Sequence, residues 1–172
     1  MKRSDHTIAT AALAGCIAGL VATVPMTMAM VRIHRRLPPR QRYALPPRII
    51  TDGILDSAPV PAEFVPERGP KRALAAHFAF GGATGALYGL ISSGASVKPG
   101  IRSGVAYGLG IWAMSYLGWV PAAGLMPPAT RQPRERNAMM IAAHIVWGAT
   151  LGVAMLIGPP CRKISAPVER RE

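Results

Sequence analysis

Four stretches of this 172-residue chain contain no Asp, Glu, Lys or Arg: Thr7–Val31, Ala73–Val97, Ser103–Thr130 and Ala138–Gly158. A surface helix of a water-soluble protein keeps a polar face along its length, and these runs have none. Acidic residues are scarce, 8 against 20 basic ones, and no carboxylate falls inside a run. That removes paired-carboxylate chemistry from them. It also leaves no set of three or four ligands for zinc. Cysteine is limited to Cys16 and Cys161, one mid-run and one beyond the last run, too far apart for an intramolecular disulfide. A nucleophile with its base and a phosphate-cradling loop are both missing. No catalytic residue and no metal site is assigned, and enzymatic chemistry is disfavoured without being excluded.

What remains is apolar and basic. The runs are 21 to 28 residues long, and about 20 residues cross the hydrocarbon core at 1.5 Å per residue. The spacing predicts an all-α fold, an integral membrane four-helix bundle with spans over about 7–31, 73–97, 103–127 and 138–158. All 172 residues form one membrane domain. The net charge of +12 lies between and outside the runs, where anionic lipid headgroups attract cations; nucleic acid is not the expected partner. Met1-Lys2-Arg3 and Leu13-Ala14-Gly15-Cys16 imitate a lipoprotein leader. The apolar run continues well past Cys16, however, and is read as an uncleaved first helix.

The first connection, Arg32 to Arg72, holds nine basic residues and eight prolines, a density that excludes regular helix over most of it. Leu37-Pro38-Pro39-Arg40 and Leu45-Pro46-Pro47-Arg48 repeat within it, and Arg35, Arg36, Arg40 and Arg48 are the candidate headgroup contacts. Ile49 to Asp56 has the pattern of a short amphipathic helix on the membrane, with a solvated loop as the alternative. Lys98-Pro99-Gly100-Ile101-Arg102 is a tight turn that makes the second and third spans antiparallel neighbours. The first and third connections carry 12 basic residues and the opposite side 8, a margin too narrow to fix orientation.

AAHFAFGGATG (Ala75–Gly85) returns as AAHIVWGATLG (Ala142–Gly152). The odd spans echo each other too, with Gly15 and Gly19 then Pro25 against Gly104 and Gly108 then Pro121. Two parallel helical hairpins are expected, as in proteins with repeats related by an axis along the membrane normal. Residues four apart share a helix face, so His77, Gly81, Gly85 and Gly89 form one stripe and His144, Gly148 and Gly152 another. Small residues at this spacing let helices approach closely in lipid. They suit hairpin packing, self-association or a partner in a membrane complex.

His77, His144, Pro25 and Pro121 all fall about 6–9 Å below one surface. Each proline frees a carbonyl, that of Val21 or Leu117, and a freed carbonyl in hydrocarbon needs a donor. The expectation is that the imidazoles supply it. Two other readings of the histidines stay open. One is a conduit for protons or small polar solutes; the other is bis-histidine haem ligation for electron transfer. No cofactor is otherwise indicated. Trp112, Tyr116, Trp119 and Trp147 mark interfaces or packing.

GLVATVPMTMAM with LPPR, AHFAFGGATGALYGL, GVAYGLGIWAMSYLGWVPAAGLMPP and AHIVWG, from about Leu13 to Gly158, resemble the YagU-like bacterial inner-membrane proteins of unknown function. The resemblance implies a multi-pass protein of the bacterial inner membrane and carries no assigned chemistry. Members of that family bias basic residues to their termini, implying cytoplasmic ends. This chain departs in its arginine-rich and shorter first connection.

Overall fold

Helices make up the regular structure. The structure, a computed structural model, describes residues 2–57, 69–94 and 97–158, and among these there is no strand. The order is α1 (Lys2–His34), a 3₁₀ turn (Pro39–Gln41), α2 (Pro46–Ser57), α3 (Pro70–Gly94), α4 (Ile101–Ala113), a π segment (Met114–Trp119), α5 (Val120–Ala122), a second 3₁₀ turn (Ala129–Arg131) and α6 (Arg134–Ile157). Three helical stretches are long and apolar enough to cross a membrane: Ile8–His34, Pro70–Gly94 and Arg134–Ile157. The tail with Cys161 lies outside the described residues.

α1 packs on α3, α4 on α6, and α1 on α6. The first two contacts are made by glycine. A Cβ built on Gly15 would strike the Gly85 carbonyl and stand 2.9 Å from the Gly89 Cα; one on Gly19 would strike the Gly81 carbonyl and stand 2.9 Å from the Gly85 Cα. In the other half Gly104 meets Gly148 and Gly152 in the same way, and Gly108 stands against the His144 carbonyl and Gly148. Both pairs are antiparallel, because rising numbers on one helix meet falling numbers on the other. The third contact uses larger residues: Ala18, Ala22, Met26 and Met30 of α1 share a core with Met139, Met140, Ala143, Trp147 and Leu151 of α6.

The sequence repeat and the packing disagree by one turn. If Gly15 and Gly19 correspond to Gly104 and Gly108, then Gly85 corresponds to Gly148 and Gly81 to His144. The match of AAHFAFG with AAHIVWG instead pairs His77 with His144. Both correspondences cannot hold at once. His144 therefore sits at its helix crossing, buried, while His77 lies one turn away from its own and is half-buried.

α3 and α4 do not pack closely along their length, contrary to what the short turn between them suggests. They are joined near that turn by side chains: the Tyr107 hydroxyl donates to the Thr84 carbonyl at 2.7 Å, and the Tyr88 and Ser103 hydroxyls are 2.9 Å apart. Tyrosine rings hold apart what glycines elsewhere let touch. Tyr107→Phe removes one hydrogen bond and is expected to cost about 1 kcal/mol, read from unfolding of purified protein in mixed micelles; an unchanged midpoint would mean that the bond adds nothing.

The third apolar run departs from one straight helix. The backbone opens to a π segment before Pro121, where Val120 N–H bonds the Ser115 carbonyl five residues back and Gly118 leaves helical angles (φ −108, ψ −107). Helix ends at Ala122, short of the expected 127, because Gly124 takes a left-handed φ of 70° and Pro127-Pro128 follows. α2 begins on the Pro46-Pro47 pair, where a missing N–H costs nothing at a helix start. It packs on α3. Asp52 of α2 pairs with Arg72 and, at 3.6 Å, with Arg48.

Candidate functional site

His77 and His144 come together on one cavity of about 180 Å³. Its walls come from all the long helices: Thr23 and Met26 of α1, His77, Phe80 and Thr84 of α3, Ser115, Tyr116 and Trp119 of the π segment, and Met140, His144 and Trp147 of α6. Pro47, Ile50, Thr51 and Ile54 of α2 close the side nearest the first connection. The widened backbone at Met114–Trp119 is what turns Ser115, Tyr116 and Trp119 onto this space.

The histidines do not serve the prolines as expected. His144 Nδ1 lies 2.8 Å from the Met140 carbonyl. A carbonyl only accepts, so Nδ1 carries the proton and the neutral ring keeps its lone pair on Nε2. His77 Nε2 is buried with no hydrogen-bond partner among the described residues. α1 runs unbroken through Pro25, and the strain at Pro121 is taken up by the π turn.

The three threonines on the cavity are satisfied within their own helices. Thr23 donates to the Gly19 carbonyl at 2.8 Å, Thr51 to Pro47 at 2.6 Å and Thr84 to Phe80 at 2.7 Å. Trp147 Nε1 reaches across to the Gly19 carbonyl at 3.3 Å, joining the two halves. Its ring lies 6.1 Å from Tyr107, which lies 5.0 Å from Tyr88. This aromatic row fills the interior beyond the cavity. Tyr116 stands edge-on to His144 at 6.0 Å.

All nine glycines singled out from the stripes are buried: Gly15, Gly19, Gly81, Gly85, Gly89, Gly104, Gly108, Gly148 and Gly152. Each of their added Cβ atoms would meet another part of this same chain, so these faces are occupied internally. Of the candidate headgroup arginines, Arg35, Arg36 and Arg40 are exposed, and Arg48 is engaged by Asp52. The haem reading meets a plain obstacle of size. A cavity of about 150 Å³ accommodates benzene, and the space between the histidines is close to that, far short of a tetrapyrrole.

One functional-looking residue had no signal in the sequence. Arg136, 1% exposed at the start of α6, donates to the carbonyls of Gln41 (2.8 Å), Tyr43 (3.2 Å) and Ala44 (2.9 Å). Its guanidinium lies 3.7 Å over the Tyr43 ring. Beside it Gln41 Nε2 donates to Glu135 at 2.9 Å, and His34 Nε2 to the Tyr43 carbonyl at 3.1 Å. The first and third connections are thereby clasped on one side of the protein, above the cavity and next to α2.

Among the described residues these features define a helical protein with three helices long and apolar enough to span a membrane and a cavity that His77 and His144 both line. The chain belongs to the family described as protein of unknown function (DUF1440), which it matches over residues 24–153. That stretch includes α2, both histidines and Arg136. No curated protein and no solved structure matches the chain.

Proposed function

We propose that this is a four-span protein of the bacterial inner membrane whose interior cavity, faced by His77 and His144, binds a small molecule. The observation that carries the reading is the convergence of both imidazoles on one space walled mainly by apolar and aromatic side chains, the usual make-up of a ligand site. The membrane setting is supported by an inverted distribution of side chains. Leu13, Ile17, Val21, Leu87, Leu117 and Leu156 point outward, while Gly, Thr, Ser and His lie within. The helical path from Ile101 to Ala122 is about 30 Å long, enough for the fourth span despite its π turn. Arg35, Arg36 and Arg40 then face anionic headgroups at the end of α1.

The glycine faces join the two helices within each hairpin, which leaves them unable to serve as docking faces for another chain. A conduit is disfavoured for a related reason. Beyond the cavity the row Tyr88–Tyr107–Trp147 fills the interior, which supports a binding site over a through-path.

Access can be tested without knowing the ligand. In a background lacking Cys16 and Cys161, Ser115→Cys on the cavity wall should react with methyl methanethiosulfonate in native membranes. The rate should be at least about tenfold above that of Ala22→Cys in the core, since access governs thiol reaction. Equal rates for the two positions would overturn the reading.

A further inference from the structure

The shape and chemistry of the cavity go further than a small molecule of any kind. Its threonines already donate to their own helices, whereas the imidazoles and the hydroxyls of Ser115 and Tyr116 are what remains open among the described residues. His144 is 5% exposed. With its Nδ1 proton given to Met140, it can only accept through Nε2, so a neutral partner must bring a donor. His77 Nε2, buried and without a partner among the described residues, adds a second polar contact. The remaining walls are apolar or aromatic, which disfavours a charged ligand. Volume sets the scale at one six-membered ring.

The route in is set by the α3–α4 pair. Toward Gly94 and Ile101 these helices are tied by Tyr88 and Ser103, and Tyr107 reaches the Thr84 carbonyl at the edge of the cavity. At their far ends the cavity lies between them. There Phe80 of α3 and Trp119 of the π segment both line the cavity and are 41% and 40% exposed. The space thus reaches the outer apolar surface sideways, at the level where the bilayer would be, whereas α2 covers it from the aqueous side.

Building on the cavity as a binding site, we propose that it receives the hydroxylated ring of a lipid-soluble phenol or quinol, the hydroxyl donating to His144 Nε2 and the tail passing between Phe80 and Trp119 into the bilayer. Phe80 and Trp119 flank the tail, and Tyr116 and Trp147 stand against the ring. The chain itself performs no redox step in this assignment; it holds the hydroxylated form.

The test is calorimetric titration of the protein in lipid nanodiscs, with empty nanodiscs subtracted, using 4-decylphenol, decylbenzene and phenol as probes. 4-Decylphenol should bind at least about tenfold more tightly than decylbenzene, the worth of one hydrogen bond to a buried acceptor. His144→Phe should abolish that preference, and His144→Gln, which retains an acceptor, should keep most of it. Equal binding of 4-decylphenol and decylbenzene to the unaltered protein overturns the hydroxyl assignment whether or not the His144 variants fold. Phenol binding as tightly as 4-decylphenol overturns the lipid tail. If neither decyl compound binds while Ser115→Cys still reacts, the ligand class is wrong and the accessible cavity stands; if Ser115→Cys is inert as well, both fail.

Discussion

Gly85→Ala should loosen α3 from α1 and destabilise the protein by at least about 2 kcal/mol, at the upper end of what overpacking a core costs. The added methyl would stand 2.7 Å from the Gly19 Cα and closer still to the Gly15 carbonyl. Both obstacles are backbone, so no side chain can swing aside, and relief requires the helices to separate. The loss is then not one contact but the whole α1–α3 crossing. Gly148→Ala should act in the same way on α4 and α6, where the methyl would approach the Gly104 carbonyl and lie 3.0 Å from the Val105 Cα. Gly110→Ala supplies the contrast. Nothing lies within 4 Å of its Cβ position, and the substitution should stabilise α4 by about 0.5–1 kcal/mol. Helicity against denaturing detergent reads all three. A Gly85→Ala protein as stable as Gly110→Ala would refute the close crossing.

Arg136→Met should cost about 3 kcal/mol, the scale of leaving buried carbonyls without their charged donor. Methionine fills much of the volume but leaves the carbonyls of Gln41, Tyr43 and Ala44 without their donor and Tyr43 without its cation. The loss should concentrate in the first connection. Trypsin, which cuts after Arg40 and Arg42, should act there at least about tenfold faster, as it would for a segment whose local opening has become over 1.4 kcal/mol easier. Arg136→Lys should recover only part of the protection, because a point charge cannot reproduce the fork of a guanidinium. Unchanged tryptic rates in Arg136→Met would show that the clasp does not hold the connection.

These two sites differ in how far the sequence discloses them. Glycines four residues apart announce a close-packing face through helix periodicity alone, whereas the pairing of Gly15 and Gly19 with Gly81, Gly85 and Gly89 is read from the structure. The pattern cannot say whether the opposing face belongs to the same chain or another, because both satisfy the same geometry. Arg136 is silent. A basic residue just ahead of an apolar run reads as a flanking charge, and the carbonyls it binds lie more than ninety positions away. The isoleucines of α2 disclosed an amphipathic helix, whereas its role as a wall of the cavity depends on tertiary placement. Pro121 signalled a disturbed helix but not its form. A donor from a neighbour and a widened backbone turn are both solutions to a missing N–H, and the second prevailed. The meeting of His77 and His144 at one level was legible from chain length. Their dissimilar surroundings were not, because the matching words around them imply equivalence.

That dissimilarity gives the site a direction. Two like hairpins in strict register would present two like imidazoles, and a bound molecule could turn end for end without penalty. The slip of one turn displaces one repeat by about 5.4 Å, so the recess has a deep, fixed acceptor in His144 and, in His77, a nitrogen without a partner among the described residues. If the cavity binds as proposed, the offset between the two halves would let it tell the head of a ligand from the tail.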